Sequence, residues 1–347
     1  MTPKSVVLAI YITVFVIGLP ANLLACYSFL RKVRQKPVPI DILLLNLTIS
    51  DLFLLTFLPF KMVEATYDMT WPLPAFLCPF TNFLFYSSIY LSTLFLVAVS
   101  AERYLCIAYP VKHKFSRRPT YARLASLIIW LVACSHCASI VFGVEYGYGN
   151  QWKPEYSYTC YQNFTPNQLK ILLPFRLELS LVLFCLPFII TIFCYINIIR
   201  IVTSMPNIKP HKKQRAVGLA VATILNFAIA FAPYNISHIV GFIQGDSPSW
   251  RVETFFLTSF NTILDPIIFF FSSATIRETF ADCWLAMPHK RPAVPSPCCL
   301  NCCKVPEGKT DESVAGQLSA SNVPSFLAGS STPIPSTTQH STQTLGT

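Results

Sequence analysis

The sequence predicts an all-α membrane protein, a seven-transmembrane helix bundle with a short amphipathic cytoplasmic helix. Three observations predict it. The 347 residues are 53% hydrophobic and only 12% charged, with mean hydropathy +0.50, whereas soluble domains carry charge on about a quarter of their residues. Seven long apolar runs follow one another, each near the roughly 20 residues that cross a bilayer's hydrocarbon core. The basic residues gather on alternate connections, as a membrane topology requires.

The first span covers about 5–30. It is too long for a secretory signal, and no small-residue cleavage site stands out. Arg31-Lys32-Val33-Arg34-Gln35-Lys36 follows it, which puts that flank in the cytoplasm and the N-terminus outside. The second span covers 40–64 and the third 76–106. Within the third, Pro79 to Ala101 is uncharged and would rise roughly 35 Å as a helix, slightly more than the hydrocarbon core of about 30 Å. A buried helix of a soluble domain rarely needs more than about 18 uncharged residues in a row. Spans four to seven cover 120–144, 171–200, 215–243 and 251–271. An odd number of spans puts the C-terminus in the cytoplasm. On that topology 20 of the 26 Lys and Arg are cytoplasmic, so the net charge of +10 faces headgroups and a cytosolic partner, not nucleic acid. The expected location is the plasma membrane.

Residues 273–285 form the amphipathic helix, with Ile276, Phe280 and Trp284 at a four-residue spacing. They close a helical domain over 1–285. The tail, 286–347, is rich in Ser, Thr, Gly and Pro from Glu307 onward, a composition that builds no core and predicts disorder and phosphorylation. Cys283, Cys298, Cys299, Cys302 and Cys303 are juxtamembrane candidates for palmitoylation, which would make membrane lipid a partner. Zinc ranks lower, because the single CxxC lacks a second pair or a His at ligand spacing. Of the sequons, Asn163-Phe164-Thr165 alone falls in an outer loop, with Pro166 directly after it. No HExxH or nucleophile elbow occurs, so no enzyme is expected.

Polar residues inside a membrane are costly, so each is a functional candidate. Here they form an ordered set: Gly18 to Asn22, Asn46 to Asp51, Glu102-Arg103-Tyr104, Trp130, Pro187 to Tyr195, Phe231-Ala232-Pro233, and Asn261 with Asp265-Pro266-Ile267-Ile268-Phe269. In this order, one group per span, they resemble the class A (rhodopsin-like) G-protein-coupled receptors over residues 5 to 285. Ala230-Phe231-Ala232-Pro233 and Asp265-Pro266-Ile267-Ile268-Phe269 depart from that family's Cys-Trp-x-Pro and Asn-Pro-x-x-Tyr. The resemblance implies an activation switch in Glu102, Arg103, Tyr104, Phe231, Pro233, Asp265, Pro266 and Phe269, with Glu102 holding Arg103 in the inactive state. It also implies an allosteric sodium ion near Asp51, Asn261 and Asp265, joined by Asn22; a polar network that only joins helices is the plainer reading. No other cofactor is expected. Cys78 and Cys160, the pair on the oxidising side, are expected to form a disulfide that pins the second outer loop. Heterotrimeric G proteins, Gi/o or Gq, and arrestin on a phosphorylated tail are the implied partners.

Two arginines mark the outer ends of the spans, Arg176 and Arg251. A guanidinium cannot lose its proton and grips carboxylate or phosphate with two parallel hydrogen bonds. Tyr234 and His238 share one helical face, and His136 and Tyr90 are placed to point into the same interior. Together they describe an anion site. The plainer readings are an Arg176–Glu178 pair and an Arg251 that snorkels to headgroups. The segments LLPFRLELSLVLF, FAPYNISHIVG, SPSWRVE, SRRPTYA and YSSIYLST are similar to the free fatty acid receptors, in the branch answering short-chain acids. That resemblance implies carboxylate recognition by Arg176, Arg251 and His238 in a pocket completed by His136, Tyr90, Tyr161 and Tyr234. Gln162 stands at a loop position that is acidic in one subtype, which leaves chain-length preference open. The expected ligands are acetate, propionate and butyrate. A receptor for longer or other small carboxylates is the alternative, and a carboxylate transporter the alternative class, although no internal repeat is present.

Overall fold

The computed structural model describes residues 4–111, 118–144, 160, 164–206 and 209–272. Tyr161, Gln162, Asn163, the 273–285 segment, the five juxtamembrane cysteines and the tail lie outside the described residues.

The described chain is helical: α1 (Lys4–Gln35), α2 (Pro39–Thr66), α3 (Leu77–Ala108), α4 (Pro119–Ala138), α5 (Pro166–Ser204), α6 (Pro210–Gln244), α7 (Arg251–Thr258) and α8 (Asn261–Ser272). Among the described residues, α1 to α6 are each long and apolar enough to cross a membrane. Proline sits in the first turn of α2, α4, α5 and α6, where its fixed φ suits the helix and its missing N–H costs nothing. At α5 the start is reinforced by a capping box, Thr165 with Gln168.

The seventh span, expected as one run over 251–271, is two helices with Ser259 and Phe260 between them. The hydroxyls of Thr258, Ser259 and Thr262 donate to the carbonyls of Phe255, Phe256 and Ser259. Such back-bonding competes with the helical ladder and explains the break.

Two more irregularities have covalent causes. A widened π turn, Leu181–Cys185, precedes Pro187 in α5, and another, Phe227–Phe231, precedes Pro233 in α6. Proline offers no N–H and crowds the carbonyl four residues back, so the turn before it opens. Carbonyls left over in this way need donors, because lipid supplies none. Thr93 of α3 donates to the Leu183 carbonyl at 2.9 Å, four residues before Pro187. Asn22 of α1 donates to the Thr262 carbonyl at 2.8 Å, four residues before Pro266. Gly18 permits that approach, since a Cβ there would lie 3.1 Å from the Thr262 hydroxyl oxygen.

In the most apolar stretch of α3, 72% of residues are buried, against 28% in α1, so α3 is the central post and α1 is peripheral. Outward faces carry exposed apolar side chains such as Val16, Leu131 and Ile189, as a lipid-facing surface requires. Trp130 of α4 donates to the Asn46 side chain of α2 at 3.0 Å, which fixes the rotation of α4.

Candidate functional site

Cys78 and Cys160 are disulfide-bonded, with Cα atoms 5.8 Å apart. The bond packs with Trp71 in a small apolar cluster, and Asn82, one turn along α3, donates to the Cys160 sulfur at 3.0 Å. This ties Cys160 to the first turn of α3.

Beneath lies a cavity of about 280 Å³, its open mouth included, with Tyr86, Tyr90, Tyr234 and His238 on its polar side and Arg176 as its cation. Cys137, Ile140 and Leu179 form the apolar side. Tyr234 and His238 are in edge contact, ring centroids 4.4 Å apart, and Tyr86 stacks on Tyr234 at 6.2 Å. The Tyr90 hydroxyl and His238 Nδ1 are buried without a hydrogen-bond partner among the described residues. Buried polar atoms in that state call for a ligand or water.

The arginines meet above this cavity. Arg176 Nη1 donates to the Ser247 hydroxyl at 3.3 Å, and Arg251 Nε donates to the same oxygen at 3.0 Å. The two nitrogens are therefore no more than about 6.3 Å apart, the two bond lengths laid end to end. Two guanidiniums this close present convergent donors that suit an anion. Both side chains are almost fully buried, at 3% and 4% exposure, so neither snorkels into solvent. Arg176 also lies over the Phe164 ring, 4.9 Å from its centre, a cation–π contact that orients it.

Arg251 lines a second cavity of about 330 Å³, together with Lys61, Glu64 and Asn82. Tyr86 lines both cavities. Lys61 and Glu64 form a buried ion pair of 2.8 Å on α2.

His136 is not among the residues lining either cavity. It pairs with Glu178 across the α4–α5 seam, Nε2 to Oε1 3.2 Å, both side chains about one-third exposed. Glu178, considered from the sequence as a partner of Arg176, here pairs with His136. Helix geometry supplies the reason. At about 100° per residue, position 136 is rotated roughly 120° from Trp130, the side chain that faces α2, while position 137 returns to within about 20° of it. Cys137 therefore takes the cavity wall. Tyr86 was likewise missed, although its four-residue spacing from Tyr90 puts both on one face of α3.

Deeper in the bundle, Asp51, Ser92, Asn226, Asn261 and Asp265 form one fully buried polar cluster. Asn261 donates to Ser92 at 3.1 Å and to Asp51 at 3.4 Å, and Asn226 donates to Asp265 at 2.6 Å. Two carboxylates, Asp51 and Asp265, are fully buried in this one cluster, so a proton or a cation between them relieves like-charge repulsion. One oxygen of each receives no donor among the described residues, and these hard oxygens fit a sodium ion. Asn22 serves the Thr262 carbonyl instead. Of the expected switch residues, Phe231 is buried against Phe227, with ring centroids 5.8 Å apart. Phe269 packs edge-on against Phe29 at 5.5 Å. Tyr104 lies against Phe193 at 5.8 Å. Arg103 has Tyr195 and Asp41 among its electrostatic neighbours.

Comparison with known proteins gives a consistent picture. The profile of the "7 transmembrane receptor (rhodopsin family)" matches residues 21–269. Free fatty acid receptor 2 of Mus musculus is 49% identical over 284 residues, 81% of this chain and 86% of that receptor. Free fatty acid receptor 3 of Homo sapiens is 46% identical over 275 residues, 79% of this chain and 78% of that receptor. Free fatty acid receptor 1 of Mesocricetus auratus is more distant, 32% identical over 271 residues, 75% of this chain and 89% of that receptor.

Proposed function

Because this chain belongs to the rhodopsin family of seven-transmembrane receptors, and within it to the free fatty acid receptors, we propose that it signals the presence of short-chain fatty acids at the plasma membrane. It is a multi-pass membrane receptor and not an enzyme or a transporter. In our reading the N-terminus is extracellular, residues 1–285 form the receptor domain, and the 286–347 tail recruits arrestin once phosphorylated.

One observation carries the ligand reading: Arg176 and Arg251, from different helices, converge on a single hydroxyl oxygen. A carboxylate has the charge and the two oxygens to take both guanidiniums. Tyr90 and His238 beneath offer further polar contacts. Cys137, Ile140 and Leu179 supply the cavity's apolar wall, a small apolar surface that favours a short tail. Acetate and propionate have about four and five heavy atoms, so a ceiling near 1.5 kcal/mol per atom limits binding to roughly 6–7.5 kcal/mol, micromolar at best. Most of that must come from the charged head.

Binding draws the ends of α5 and α7 toward one anion. The bundle answers through the Asp51–Asp265 cluster and frees Arg103 at the inner end of α3 for a heterotrimeric G protein. Measuring Gi/o and Gq activation separately in cells given acids of two to twelve carbons tests the proposal. Responses are expected for two to four carbons, and Arg176→Ala or Arg251→Ala abolishes them at unchanged surface expression. A normal propionate response in either variant refutes the anion site, and a peak at eight or more carbons refutes the short-chain reading.

A further inference from the structure

Ser247 has no counterpart among the residues the sequence singled out, yet it is the atom on which the site closes. It sits in the outer connection between α6 and α7, half-buried, and that connection is built tightly. Gly245 ends α6 in the left-handed conformation, φ 70°, which favours glycine. The Asp246 N–H returns to the Gly241 carbonyl at 3.2 Å. A Cβ at Gly241 would lie 2.9 Å from the Asp246 carbonyl oxygen and 3.0 Å from Pro248 Cδ, so the loop rests directly on the helix. The Asp246 side chain accepts the Ser247 N–H at 2.6 Å, and the Arg251 N–H donates to the Pro248 carbonyl at 3.1 Å. Asp246 and Pro248, on either side of Ser247, are thus tied to α6 and α7.

A hydroxyl has two acceptor positions and one donor hydrogen. In Ser247 both acceptor positions are taken by guanidinium donors, and its O–H meets no acceptor among the described residues. A carboxylate drawn to the two cations arrives beside that remaining hydrogen.

We propose that Ser247 is a ligand-binding and positioning residue: its oxygen holds the two guanidiniums in register while its O–H donates to the bound carboxylate. This rests on the carboxylate reading above. The contact is to the head group, so it adds affinity equally for every acid of the series. The opposite geometry is also definable. If Ser247 merely occupies the anion's place and is displaced on binding, its hydroxyl opposes the ligand.

The test compares Ser247→Thr with Ser247→Val, which share a shape and differ in the hydroxyl. Each full-length receptor is assayed in membranes for G protein activation by acetate, propionate and butyrate, normalised to surface amount. Ser247→Thr is expected to stay within about threefold of wild type, and Ser247→Val to lose about tenfold to a hundredfold in potency, by the same factor for all three acids. Equal potency of Thr and Val variants, a gain in the Val variant, or a loss that grows with tail length overturns the inference while leaving the receptor reading intact. A wild type silent to all three acids overturns both.

Discussion

Replacing Thr93 by Val tests whether the helix irregularities are compensated as described. The substitution keeps the side chain's shape and removes the hydroxyl that donates to the Leu183 carbonyl. The same hydrogen is shared with the Tyr90 carbonyl, also at 2.9 Å, so only part of one hydrogen bond is lost. Interhelical hydrogen bonds in membrane proteins average about 0.6 kcal/mol and reach about 1.7, while an orphaned buried carbonyl costs about 1–3 kcal/mol. We expect a loss of about 1 kcal/mol, or roughly 1–2 °C in Tm for a chain of this size. In a Pro187→Ala background the new N–H supplies the donor from within α5, and the loss should shrink to within the additivity error of about 0.3–0.5 kcal/mol. Thermal unfolding of the four purified receptors in detergent measures the cycle. Equal Tm losses in both backgrounds would mean that Thr93 does not compensate the proline.

Three other outcomes follow from the geometry. Cys78→Ser and Cys160→Ser open a loop closed over a separation of 82 residues, worth about 4.5 kcal/mol on the chain-entropy model; surface expression should collapse in both, and survival at wild-type levels would contradict it. Lys61→Met alone strands the buried Glu64 carboxylate and should cost about 3–5 kcal/mol, whereas Lys61→Met with Glu64→Leu should be close to neutral, as read by Tm. Exchanging sodium for choline in the assay buffer should raise propionate potency in the wild type and leave Asp51→Asn unchanged; an identical shift in both would place the ion elsewhere.

The membrane spans were legible because each is a long apolar run with few charges, a signal that depends on composition alone. The arginines were legible because a guanidinium at the end of an apolar span has few uses. What periodicity alone left open was rotation and loops. His136 and Cys137 are adjacent in sequence, and only the Trp130–Asn46 contact decides which of them faces the cavity. Ser247 lies in a loop without periodicity, and its role arises from two residues, one four positions away and one 71 positions away. The break in the seventh span was hidden because Thr258, Ser259 and Thr262 look like ordinary helix-tolerated polar residues until their hydroxyls are seen on the backbone.

The donors offered to Leu183 and Thr262 also bear on how the helices find one another after insertion. Lipid-facing leucines and valines are interchangeable, so apolar packing alone allows a helix to slip by a turn at small cost. A carbonyl bared by Pro187 or Pro266 is different: it sits at one height and one azimuth, and sliding α3 or α1 by a turn of about 5.4 Å moves the donor away. Each such proline therefore acts as an address within the bilayer, where α3 seats against α5 and α1 against α8, and misassembled neighbours are rejected because the address goes unanswered.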